Sequence, residues 1–174
     1  MLSQAGGRMS LLSLTKLLYL AERESFKRYA EPLTGDVPVS MQHGPVLSKT
    51  LNLMNGFADE ASVWDRWISD REGRIVALRD PAMVQDCERD LDALSRADLD
   101  VLRDVWGEFG GLHADPWALV RYCHQHCHEW EDPGLSSFEI PLVRLLRAVG
   151  YGEGAVEAAS EQLAERVGLQ CAFA

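Results

Sequence analysis

From Leu11 onward the apolar positions fall at helical spacing. Leu11, Leu14, Leu18 and Ala21 recur three or four residues apart, and Leu17 and Leu20 widen the stripe. Ser10 stands where it can cap this helix, which the pattern carries to about Arg28. Lys16 and Tyr19 flank the apolar face. There a lysine snorkels and a tyrosine covers the core edge, or both touch a partner. Glu31-Pro32-Leu33-Thr34-Gly35-Asp36 reads as a turn. Val37 to Met41 alternates as a short strand, which Pro38 assigns to a sheet edge. In His43-Gly44-Pro45-Val46 a pre-proline glycine precedes a proline suited to the first helical position. The tetrapeptide therefore predicts a helix from about Pro45 to Asn55, closed by Gly56. His43 is expected to orient the turn by a hydrogen bond, and the helix start offers free N–H groups to an anion.

Trp64, Trp67 and Ile68, then Asp70-Arg71-Glu72-Gly73, then Ile75, Val76 and Leu78 predict a β-hairpin over Val63 to Leu78. Asp80-Pro81 opens an acidic helix with Val84, Cys87, Leu91 and Leu94 inward. Ser95-Arg96-Ala97-Asp98 is a capping box before Leu99, Leu102, Val105, Trp106 and Phe109. Asp115-Pro116 starts a helix running to about Trp130, ended by Asp132-Pro133-Gly134. Short helices follow over about Pro141 to Val149 and Glu153 to Val167, the latter carrying Val156, Ala159, Leu163 and Val167. The elements predict a mainly α protein with a small antiparallel β element, an α+β fold in one compact helical domain. Residues 1–9 are expected to form a flexible N-terminus.

Composition changes this picture little. The 174 residues suit one domain that buries roughly 70% of its unfolded surface. The net charge of −10 repels phosphates, tilts against direct nucleic-acid binding and favours a basic partner. A helix, a second helix and a hairpin suggest a winged DNA-binding layout, yet Val46 to Asn55 carries Lys49 alone as a cation. No signal peptide and no apolar run of membrane-spanning length is visible, so a cytoplasmic location with Cys87, Cys123, Cys127 and Cys171 as free thiols is expected.

The chemistry that draws the eye is Cys123-His124-Gln125-His126-Cys127-His128. On a continuous helix, Cys123 with Cys127 and His124 with His128 are i,i+4 pairs able to share a metal. A structural zinc site needs a second pair, and His43, His113, Cys87 and Cys171 are scattered singles. A metal- or thiol-dependent enzyme built on Cys123, His124, Cys127 and His128 is one reading. The other is a helix with one cysteine buried and its histidines exposed. No nucleophile elbow and no phosphate-binding glycine loop is present, so no catalytic residue and no cofactor is assigned.

Leu14-Thr15-Lys16-Leu17-Leu18-Tyr19-Leu20-Ala21, Gly35-Asp36 and His43-Gly44-Pro45-Val46 occur in that order. Leu94-Ser95-Arg96-Ala97-Asp98-Leu99, His124 with Glu129-Trp130-Glu131-Asp132-Pro133-Gly134, and Ile140-Pro141 follow. The series resembles the Panacea domain, the SocA-like antitoxin family also known from GepA-like phage-associated proteins. The resemblance spans about residues 10–150, with residues 151–174 as a C-terminal helix and tail packing on the same domain. It implies a mainly helical domain without a catalytic centre that neutralises a cognate protein toxin. In one branch it implies an adaptor delivering the toxin to the ClpXP protease. It also marks Lys16, Tyr19, His43, Gly44, Pro45, His124, Glu129 and Trp130 as family-motif and partner-binding candidates. Two features depart from the family pattern: the additional Cys and His residues between His124 and Glu129, and the tail after Val149.

Overall fold

The computed structural model describes residues 1–57, 61–69 and 72–172, with the side chains of residues 61–63 and 166–172 outside the described set. In chain order it places β1 (Arg8–Ser10), α1 (Leu11–Tyr29), β2 (Pro38–Met41), β3 (Gly44–Leu47), α2 (Ser48–Asn55) and α3 (Ala61–Trp67). There follow β4 (Ile75–Ala77), α4 (Cys87–Asp90), α5 (Arg96–Phe109), α6 (Pro116–His126), β5 (Phe138–Glu139), α7 (Leu142–Ala148) and α8 (Glu153–Ala172). This is the expected α+β fold, helical in the main. One antiparallel sheet pairs β1 with β4, and the other has the order β3-β2-β5.

α1 runs through the middle, against α5, α6, α7 and β3. Its wide stripe explains that position: Leu14, Leu17, Leu20, Ala21 and Phe26 are all buried. Ser10 caps it by accepting from the Ser13 N–H at 3.0 Å. The Ser95 and Asp98 capping box opens α5 as expected.

Elsewhere tertiary contacts override the local pattern. In the first nine residues Leu2 and Met9 pack into the core, and β1 pairs Arg8–Ser10 with Ile75–Ala77. β2 is the central strand of its sheet and not an edge. Pro38 tolerates this at the first strand position, where its carbonyl accepts from Ile140 N–H at 2.8 Å. Gly44-Pro45-Val46-Leu47 is a strand, so α2 begins at Ser48, three residues later than expected. Gly56 closes it with φ +76° as read. The hairpin over Val63 to Leu78 is instead helix α3 followed by β4, joined by the bridge Ile68↔Leu78 and by the bonds from Ser69 N–H to Ala77 O and from Arg79 N–H to Trp67 O. Trp64, Trp67 and Ile68 also satisfy i,i+3,i+4 spacing, and periodicity cannot separate the two states over so short a run. Asp70 and Arg71 of the expected turn, and the Val63 side chain, lie outside the described residues.

The acidic helix after Pro81 is only a short 3-10 turn and the single turn α4. Asp86 and Asp90 bond nearby backbone N–H groups, which competes with a longer helix. α6 stops at His126, and Cys127 takes a non-helical φ of −95° and ψ of 81°. The last helix reaches Ala172, beyond the expected end near Val167. Val156, Ala159 and Leu163 pack inward, and the side chains of Val167 and Cys171 lie outside the described residues.

Candidate functional site

α1 buries not only leucines but Ser13, Thr15, Lys16, Glu22 and Ser25. Buried polar groups are costly unless they are bonded. Most of these bonds reach other elements. Ser13 Oγ donates to His113 O at 2.7 Å, and Lys16 Nζ donates to Pro45 O at 2.8 Å. Tyr19 Oη donates to Glu129 Oε1 at 2.5 Å. Glu22 Oε2 accepts from the N–H and hydroxyl of Thr34, each at 2.9 Å. Lys16 and Tyr19 are therefore fully buried and do not flank the core edge as their position in the stripe suggests.

Burial pulls the Lys16 ammonium down to about 8, against the opposing pull of Cys123 and Cys127. Burial pushes Glu22 up to about 7 despite its bonds to Thr34. Burial, together with the neighbouring Glu129, holds the Tyr19 phenol well above its ordinary range. Glu129 also accepts from Arg23 Nε at 2.8 Å, and Arg23 reaches the carbonyls of His126 and Ala148. Tyr19, Arg23 and Glu129 thus tie α1 to the chain leaving α6 and to the end of α7.

The second motif is clamped between aromatic rings. Met41 and Gly44 pair across the β2–β3 hairpin, leaving Gln42 and His43 at its tip. Gly44 has φ +92°, a conformation glycine adopts without strain. A Cβ there would lie 3.4 Å from both His124 Cδ2 and Lys16 Nζ. His43 forms no hydrogen bond among the described residues; it sets its ring edge-on to Trp117 at 5.1 Å. His124 stacks on Trp130 at 4.1 Å, and Trp130 Nε1 donates to Met41 O at 3.0 Å. Partial burial, followed by the Lys16 charge, lowers the His124 pKa.

The expected anion position at the α2 start is filled by the chain itself. Asp36 Oδ1 accepts from Lys49 N–H, and Oδ2 accepts from the N–H and hydroxyl of Thr50.

The cysteine–histidine run disperses. Cys123 and Cys127 are both buried, and the interaction between their thiols lowers the Cys123 pKa and raises that of Cys127. His126 packs on Tyr122 at 4.4 Å, and His128 is exposed beyond the helix end, so the His124 and His128 helical pair does not form. Glu129, expected on the helix, has left it to meet Tyr19. Among the described residues no three His, Cys, Asp or Glu side chains converge into a metal-binding group.

Above Lys16 lies a cavity of about 410 Å³ between α1, the hairpin tip and the start of α6. Leu11, Leu12, Val46 and Leu51 line it, with His43, Arg74 and Trp117 among its other residues. Arg23 and Glu22 carry no role in the sequence pattern, and Asp36 appears there only as part of a turn and of the Gly35-Asp36 motif, not as the cap of α2. One signal was present for Arg23: Lys16, Tyr19 and Arg23 stand at i, i+3 and i+7, on one helix face.

The family described as "Antitoxin SocA-like, Panacea domain" matches residues 14–131. No curated protein and no solved structure matches the chain. The matched segment holds most of α1, the hairpin, α5, α6 and Glu129, and with them the buried bonds from Lys16 to Pro45 and from Tyr19 to Glu129. It covers more than half of the 174 residues, and the chain belongs to the SocA-like antitoxin family of Panacea domains.

Proposed function

We propose that this protein is the antitoxin of a toxin–antitoxin pair and neutralises a cognate protein toxin by binding it directly in the cytoplasm. Family membership carries the reading. The geometry supports a binding scaffold: Lys16, Tyr19 and Glu129 are buried and engaged within the fold, so they shape a surface and do not present reactive groups to a substrate. Among the described residues no helix is long and apolar enough to cross a membrane.

The test is co-expression with the product of the adjacent gene. That product alone should arrest growth. Together with this protein, growth should resume and the two should co-elute as a complex. A neighbour that is harmless alone, or that stays toxic in the presence of this protein, rules the reading out. Toxin half-life separates masking from delivery to a protease: masking leaves it unchanged with and without ClpXP.

A further inference from the structure

The cavity above Lys16 stands apart electrostatically. The whole chain carries −10, yet no Asp or Glu is among the described residues lining this cavity, whereas Lys16, Arg74 and His43 are. Among the described residues no carboxylate pairs with Lys16 or Arg74, as none pairs with Arg8, Lys49, Arg66 or Arg79, whereas Arg23, Lys27, Arg28, Arg89, Arg103 and Arg147 have acidic partners. Lys16 lies fully buried beneath the cavity with its charge close to the hairpin, while Arg74 is exposed at the rim. The walls are largely apolar, and Trp117 is 50% exposed beside His43. A half-exposed tryptophan beside an apolar hollow and an unpaired arginine is the composition of a protein-binding hot spot.

We infer that this cavity is the docking site for a peptide segment of the protein partner, one that places an aromatic or branched apolar side chain against Trp117 and an adjacent carboxylate on Arg74. The volume of about 410 Å³ suits one large side chain with its neighbours. Charge complementarity selects the carboxylate, because the chain carries −10 overall while the charged side chains lining this hollow are basic. The same contrast sets orientation: basic faces of the partner meet the acidic surface, while one acidic–apolar segment occupies the hollow. The identification of the partner as a toxin rests on the proposed function; the chemistry of the pocket does not.

The experiment pans a display library of random short peptides on the purified full-length protein, then measures an enriched peptide by calorimetry against the wild type, Arg74→Glu, Trp117→Ala and the remote control Leu135→Ala. All three positions are exposed, and far-ultraviolet circular dichroism checks each fold. Enriched peptides should carry Asp or Glu beside an aromatic or branched residue. Arg74→Glu and Trp117→Ala should each weaken binding about tenfold or more, Leu135→Ala should leave it unchanged, and wild-type affinity should fall with added salt. Enrichment of basic or purely apolar peptides, no enrichment, or unchanged binding by folded Arg74→Glu and Trp117→Ala variants overturns the inference. If the library returns acidic–apolar peptides but the adjacent gene product does not bind, the antitoxin reading falls and the pocket stands.

Discussion

Lys16 and Glu22 lie on one helix, both buried, each facing a different neighbour, and their titrations give opposite pH responses. Lys16 titrates at about 8 in the fold against an ordinary 10.5. Between those values the unfolded chain holds the extra proton, so this contribution raises stability as pH climbs from about 8 to 10.5. The full cost, about 3 kcal/mol, is present below that window. Lys16→Met removes the slope, so urea melts at several pH values should show the wild type gaining about 3 kcal/mol on the variant across it. Parallel curves would refute the assignment. Glu22 titrates at about 7 against an ordinary 4.5, so the folded state holds the extra proton between them. Its contribution is most favourable below that range and is lost as pH rises through it. Glu22→Gln keeps an acceptor for Thr34 and should gain about 2–3 kcal/mol on the wild type from the acid to the neutral end. The sequence exposed these residues only in part. Lys16, Tyr19, Glu129 and Trp130 stand out as motif members, but their burial does not, because Lys16 finds Pro45 29 positions away and Tyr19 finds Glu129 110 positions away.

At the scale of elements, the hairpin and α2 are joined by one carboxylate. Asp36 precedes β2, yet its oxygens satisfy N–H groups of Lys49 and Thr50 in the first turn of α2. Thermal melts should show Asp36→Ala losing about 1–2 kcal/mol, with Asp36→Asn recovering part of it through its remaining acceptor. Gly44→Val forces a β-branched residue to φ +92° against His124 and Lys16. It should cost about 2 kcal/mol or more, read as a lower denaturation midpoint. Elements with long, strongly periodic stripes or explicit caps were legible: α1 from its leucines and Ser10, α5 from Ser95 and Asp98, α2's end from Gly56. Short segments were not. Pro45 suits a helix start locally, but its partner in the register is Ser40. Glu129 and Trp130 suit one more helical turn, but Tyr19 and the Met41 carbonyl draw them away. Non-local pairing decided each case, and a local pattern does not encode it.

At the scale of the molecule, the family segment and the folding unit are not the same length. The match ends at residue 131, yet Ile140, Leu145, Leu146, Val156 and Ala159 beyond it are all buried in the shared core. β5 extends the central sheet through Val39 and Ser40, and the Ala148 carbonyl accepts from Arg23, which also holds Glu129. At about 2 kcal/mol for each of the larger side chains, removing these five residues forfeits roughly 8–10 kcal/mol of apolar burial. That is comparable with the whole stability of an ordinary domain, about 5–15 kcal/mol. A fragment ending at residue 131 would also uncover the face of α1 that α7 covers. It should therefore lack a cooperative urea transition and show collapsed near-ultraviolet dichroism, while the full chain melts in one step. A fragment that unfolds as sharply as the full chain would mean that α7 and α8 are an accessory layer, and that the buried polar network of Lys16, Tyr19 and Glu129 is sufficient to hold α1 in place.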